Sequence, residues 1–192
     1  MRKFFSLSQC FLFCLVLLFS FKSFATDCPS GGITSSIACT GNISTNDLHV
    51  YGINLNNSSS TNNSKTVNMT GNVTATGVSS SHGINSDNSS GASNTNTVNI
   101  TGNITTIGPL SHSRGIYLTN TQGANNTSVV NMTGDIASSG YFPEGITLNN
   151  NSGASNTNTV NMIGNVTATS SMSNAMGISL YNVNGANDTN TL

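Results

Sequence analysis

Thr66–Gly77 reads TVNMTGNVTATG, and the phrase returns as TVNITGNITTIG at Thr97–Gly108, VVNMTGDIASSG at Val129–Gly140 and TVNMIGNVTATS at Thr159–Ser170. A shorter copy, IACTGNIST, begins at Ile37. Along the phrase two sets of residues alternate. Val67, Met69, Gly71, Val73 and Ala75 share one face of an extended chain, and Asn68, Thr70, Asn72, Thr74 and Thr76 share the other. A helix, with its period of 3.6, would scatter both sets around its axis. Each copy therefore predicts a long strand with one apolar face.

A second motif is interleaved with the first: Gly52-Ile53, Gly83-Ile84, Gly115-Ile116, Gly145-Ile146 and Gly177-Ile178, spaced 31, 32, 30 and 32 residues apart. The last four are each followed, at a fixed offset, by Gly-Ala pairs at 91, 123, 153 and 185. Each of the first four Gly-Ile glycines precedes the first apolar residue of the next phrase by 15 positions, whereas the remaining stretch varies from 15 to 17. Length variation collects in loops. The segments holding Pro109 and Pro143 are accordingly expected as surface turns.

Short alternating strands recurring every ~31 residues specify an all-β fold, a single-stranded parallel β-helix of about five turns. At ~4.8 Å per winding, five windings make a rod of about 25 Å. One winding buries too few large side chains to offset the entropy of ordering it, so stability must come from stacking. Stacking in register makes columns. Asn68, Asn99, Asn131 and Asn161 are expected to form one outward ladder, and Asn72, Asn103, Asp135 and Asn165 another, with amides bonded along the axis. The frequent Asn-x-Thr triplets follow from this Asn/Thr face and are not taken as glycan acceptors.

The N-terminus sets the compartment. Met1-Arg2-Lys3, an apolar run from Phe11 to Phe19 and the small-residue site Ser23-Phe24-Ala25 form a secretory signal peptide, expected as a helix over residues 1–25. Its apolar run is about half the ~20 residues that a permanent transmembrane span needs. Residues 26–36 are read as an N-terminal cap segment and 37–192 as the solenoid repeats, ending mid-repeat. Beyond the leader only Lys65 and Arg114 stand against Asp27, Asp47, Asp87, Asp135, Glu144 and Asp188, a net charge of −4. Two isolated cations cannot displace counterions from phosphates, which excludes nucleic acid as a partner. Low charge with much Asn, Ser, Thr and Gly would suit disorder, but the apolar residues are too strictly placed for it. Cys28 and Cys39 remain after the leader, and export leaves open a disulfide or two free thiols.

Asn/Thr-rich strands of the form TVNxTGNIT, alternating with Gly-Ile-x-Leu and Asn/Ser turns behind a signal peptide, resemble the passenger repeats of Gram-negative autotransporters over Ile37 to Leu192. Filamentous-haemagglutinin-type adhesins share such repeats. The resemblance implies export through the Sec machinery and surface display as a stalk, adhesin or scaffold. The chain departs from that family in lacking a C-terminal translocator barrel of ~10-residue alternating strands. Leu192 falls 15 residues after Gly177, at the position of Val67, Val98, Val130 and Val160. The expectation is a truncated product whose open edge could support self-association.

The functional expectation is a structural or adhesive, surface-exposed passenger segment, located in the periplasm, on the cell surface or secreted, with no enzymatic activity and no cofactor or metal. An ice-binding or other flat-face solenoid is one alternative, favoured by the regular outward columns. A carbohydrate-active β-helix enzyme is another, and it would need an acid–base pair of carboxylates. Asp135 and Glu144 are the nearest acidic neighbours, one in a strand column and one in a variable segment. His49, His82 and His112 precede successive Gly-Ile pairs and are weighed as an edge column, but variable segments hold metal ligands poorly.

Overall fold

The computed structural model describes residues 26–57, 61–170 and 172–192. The expected signal peptide and its helix, residues 1–25, lie outside the described residues. The described chain is all-β and winds as a parallel solenoid of about five turns with a spacing of ~31 residues. Among the described residues no helix is long and apolar enough to cross a membrane.

Each winding contributes a short strand to one parallel sheet and a long strand to another. The short strands, sheet A, are β2 (Ile37–Thr40), β4 (Ser64–Thr70), β6 (Thr95–Thr101), β8 (Thr127–Thr133) and β10 (Thr157–Ile163), flanked by β1 (Thr26–Asp27) and β13 (Thr189–Thr191). The long strands, sheet B, are β3 (Ile43–Asn56), β5 (Val73–Asp87), β7 (Ile104–Thr121) and β9 (Ile136–Asn151), and the fifth winding splits its long strand into β11 (Val166–Ser170) and β12 (Met176–Val183). The Gly-Ala pairs carry a third line of contact, with Ala124 bridging Ala154 and Ala154 bridging Ala186.

The register stacks like on like. Ile37, Val67, Val98, Val130 and Val160 pair in succession, as do Ile53, Ile84, Ile116, Ile146 and Ile178. Apart from the exposed Ile178 at the end of its column, these residues, with Val73, Ile104 and Ile136 opposite, belong to one continuous apolar core. Residues 26–36 already follow the winding: β1 pairs with β2, and Ile33 is buried and bridges Ile53. Cys28 and Cys39 form a disulfide between Cα atoms 5.0 Å apart, which ties this partial winding to β2.

Two expectations need correction. The TVNMTGNVTATG phrase is not one strand. It turns a corner at Gly71-Asn72, so Val67 and Met69 lie in sheet A while Val73 and Ala75 lie in sheet B, all four facing inward. The corner glycines adopt φ near +145° (Gly71 145, Gly102 150, Gly134 143, Gly164 149), where other residues are strained. The Pro109 and Pro143 segments are not loops either. Both prolines lie inside β7 and β9, Pro143 is buried, and the extra residues are absorbed as register shifts, between Gly108 and His112 for instance. A long parallel strand can take up one or two residues as a bulge while pairing resumes on either side, so variable length did not require a loop here.

The Gly-Ile glycines explain the fixed spacing to the facing strand. A Cβ on Gly115 would lie 2.2 Å from Ile136 Cγ2 and 2.6 Å from the Gly145 carbonyl oxygen, and Gly52, Gly83 and Gly145 are equally closed. Gly177 has nothing within 4 Å. Gly115→Ala is expected to lower stability by about 1–3 kcal/mol through overpacking. Gly177→Ala should stay within about 0.5 kcal/mol. Urea midpoints of the two variants check the contrast.

Candidate functional site

The outer face of sheet A carries the first asparagine column. Asn99 Nδ2 donates to Asn68 Oδ1 at 2.7 Å, Asn131 to Asn99 at 2.7 Å and Asn161 to Asn131 at 2.8 Å. Exposed Thr70, Thr101 and Thr133 form a rank on one side, continued by exposed Ile163, and Thr66, Thr97, Val129 and Thr159 form a rank on the other. A shallow open groove follows this face along the rod, lined in each winding by the same positions, from Ala38–Thr40 to Asn161–Ile163. The second column behaves differently. Asn72 Oδ1 accepts the backbone N–H of Asn103 at 2.8 Å, Asn103 Oδ1 that of Asp135 at 2.9 Å, and Asp135 Oδ1 that of Asn165 at 2.8 Å. These side chains cap the backbone at the corner, where the chain leaves sheet A, rather than joining amide to amide throughout. Asp135 fits this column because an acceptor is all the position requires.

A larger asparagine array lies inside. Asn88, Asn120 and Asn150 are fully buried, with Asn57 below them, and each donates to the next: Asn57 to Asn88 at 3.2 Å, Asn88 to Asn120 at 3.0 Å, Asn120 to Asn150 at 3.0 Å and Asn150 to Asn182 at 3.3 Å. The facing strands add Asn96, Ser128 and Asn158, which interlock with this ladder. Asn57 donates to Asn96 at 2.7 Å, Asn88 to Ser128 at 3.0 Å and Asn120 to Asn158 at 2.8 Å. A third buried column, Asn94, Asn126 and Asn156, accepts backbone N–H groups from the winding below: Asn63 N–H to Asn94, Asn94 N–H to Asn126 and Asn126 N–H to Asn156, each at 3.0 Å. Sequence reasoning placed asparagine outside and missed these residues. The signal was present, since Asn57 continues the parity of Ile53 and Leu55, and Asn94 and Asn96 that of Val98 and Ile100.

The charged and aromatic residues gather on the outer face of sheet B. Tyr51, His82, Arg114 and Glu144 stack in register at the position preceding each Gly-Ile pair. Arg114 Nε donates to Glu144 Oε2, Thr147 Oγ1 donates to the same oxygen at 3.0 Å, and the guanidinium lies 4.5 Å above the Tyr117 ring. His82 is buried edge-on between Tyr51 and Tyr117, with ring centroids 5.2 and 5.4 Å away. Its pKa is held down to about 3, first by burial, then by Arg114, with an Asn85 hydrogen bond opposing and His112 adding a smaller push. His112 stacks on Phe142 and is lowered by burial and Arg114 against Glu144. The three histidines do not form a column: His49 Nδ1 bonds Ser80 Oγ at 2.8 Å, and the other two meet different partners. Asp135 and Glu144 also engage different groups, Asp135 meeting Asn165 and Glu144 meeting Arg114 and Thr147. The pairing of Arg114 with Glu144 could have been read from their shared position before Gly115 and Gly145.

Compared with known proteins, the chain matches no family model, no curated protein and no solved structure.

Two predictions follow from the buried groups. Asn120→Ala removes the donor to buried Asn158 Oδ1 and one of the acceptors of Asn88 Nδ2 and opens a gap in the buried ladder, and should cost about 2–4 kcal/mol, whereas Asn131→Ala on the outer ladder should cost under about 1 kcal/mol; denaturant titrations of both variants measure the gap. His82 is neutral in the folded chain and takes up a proton on unfolding below its ordinary value of 6.5. Its contribution to stability is therefore complete above pH 6.5 and falls as the pH drops from there towards about 3. His82→Gln should flatten the stability–pH slope in that window relative to the parent chain, as read by thermal melts at stepped pH.

Proposed function

We propose that the chain is a structural and adhesive rod of the autotransporter-passenger kind, exported by its leader and meeting its target through the outer face of sheet A. The observation carrying this reading is the continuous Asn68–Asn99–Asn131–Asn161 ladder with threonine-rich ranks beside it, interrupted by Val129 and Ile163. The amides of Asn99, Asn131 and Asn161 each spend one N–H on the winding below. A second N–H and further acceptor capacity remain on these side chains, which line the groove. The side chains hold one another in place, so a partner meets polar groups already fixed at a ~4.8 Å repeat and little side-chain entropy is lost on contact.

The same regularity favours a second reading, a flat face that orders water as an ice-binding surface does. One set of proteins separates the two: the purified chain and a Thr101→Lys/Thr133→Lys variant, whose substitutions are exposed and leave the core intact. The adhesive reading expects saturable binding of the parent chain to plates coated with extracellular-matrix proteins or mucin, lost in the variant, and no thermal hysteresis. Thermal hysteresis with ice shaping by the parent chain, or absence of binding to every coated surface, would overturn it.

A further inference from the structure

We propose that the outer face of sheet B holds a binding subsite for a neutral saccharide, built by Arg114, Tyr117, Glu144, Thr147, Asn149 and Tyr181. This site lies on a different sheet from the adhesive face and does not depend on it. These residues line a shallow, open depression of about 330 Å³, at the small end of the range for ligand sites. Three windings contribute to it through the register: Arg114 pairs with Glu144, Tyr117 with Thr147, and Tyr181 with Asn149.

The free valences of the site determine what it can take. Both hydrogen bonds to the Glu144 carboxylate, from Arg114 and Thr147, fall on Oε2, so among the described residues Oε1 has no partner. Among the described residues Arg114 donates through Nε alone, which leaves its terminal N–H groups without an acceptor there. An acceptor and a donor fork side by side complement two neighbouring hydroxyls, one donating to the carboxylate and the other accepting from the guanidinium. Tyr117 is held by Arg114 above its ring and by the perpendicular His82 ring 5.4 Å away, while Tyr181 is 42% exposed and offers an aromatic surface to the C–H groups of a sugar ring. The charges of Arg114 and Glu144 cancel, and no other lining residue is charged. An anionic ligand such as a uronate or phosphate would meet the carboxylate with no surplus cation to compensate, so the site selects neutral rings.

Saturation-transfer NMR on the purified chain with chitotriose, cellotriose and maltotriose tests the proposal. Irradiation of tyrosine protons should transfer to at least one of these sugars, Tyr181→Ala should weaken that sugar's binding by roughly tenfold, and Thr101→Lys/Thr133→Lys on sheet A should leave it unchanged. Glu144→Gln should also weaken binding, and because Tyr181 is exposed its variant retains the fold even if Glu144→Gln does not. Absence of transfer to all three sugars, or transfer that survives Tyr181→Ala, would overturn the site. Loss of plate binding in the sheet A variant with sugar transfer intact separates this outcome from the adhesive one.

Discussion

Parallel backbone hydrogen bonding between windings, at a separation of ~4.8 Å, is the constraint from which the rest of the structure follows. It places each side chain directly over its counterpart one winding below, so every position in the repeat becomes a column and every column must tolerate self-contact. Valine on valine and isoleucine on isoleucine meet that condition by dispersion and burial. Asparagine on asparagine meets it because an amide carries both donor and acceptor and can pass a hydrogen bond along the axis. Charge repeated on like charge would not meet it, which accounts for a repeat region with only two cations among so many polar residues. Where the solenoid does stack ionisable groups, at the position before Gly-Ile, the identities change from winding to winding as Tyr51, His82, Arg114 and Glu144.

The interior divides into an aliphatic part and an amide part, and the two do different jobs. The aliphatic columns supply most of the burial but discriminate poorly between registers, since a strand displaced along the axis still meets Val, Ile or Met. The amide part does discriminate. Asn120 bonds Asn150, Asn158 and the Thr157 carbonyl at 3.0, 2.8 and 3.2 Å, and a slip that carried it towards Val130 or Ile136 would leave its donors unpaired in a dry core. Where the leucine column is interrupted by Ser86, the hydroxyl meets Ser128 at 2.9 Å and accepts from Asn96 at 2.9 Å, so the polar set closes on itself there too. Burying this many side-chain amides is tolerable because stacking provides each one's partner automatically.

The sequence was legible where a column repeats one residue type and the period is two. Val67, Val98, Val130 and Val160 were placed on one axis from spacing alone, as was the outer Asn68 ladder. Two kinds of feature resisted. Corners conserve inward and outward parity, so the alternation of TVNMTGNVTATG runs through Gly71 without revealing that the chain changes sheets there. Residue type also outweighed parity for asparagine: Asn57, Asn94 and Asn96 continue an inward series, yet polarity argued for the surface because a single chain segment contains no sign of the partner one winding away. The prolines misled for a related reason. Pro143 sits in a buried stretch of β9 opposite Ser113, just past the register shift between Gly140 and Phe142.

A solenoid made of self-similar columns carries its stability in the repetitions and its chemical variety in the departures from them. Substituting Asp135 for asparagine in the corner column changes little, because that position uses only an acceptor oxygen. Placing Arg114 directly below Glu144 changes much more. It creates a charge pair that the repeat neither requires nor reproduces elsewhere among the described residues, and it leaves one carboxylate oxygen and the terminal guanidinium N–H groups unused beside two tyrosines. A pair needed only for packing would have been satisfied by another Asn or Thr from the abundant local stock, at lower desolvation cost. The position that breaks the column therefore adds, beside the regular face of sheet A, a second kind of surface to this rod, with unlike side chains stacked where most columns stack like on like.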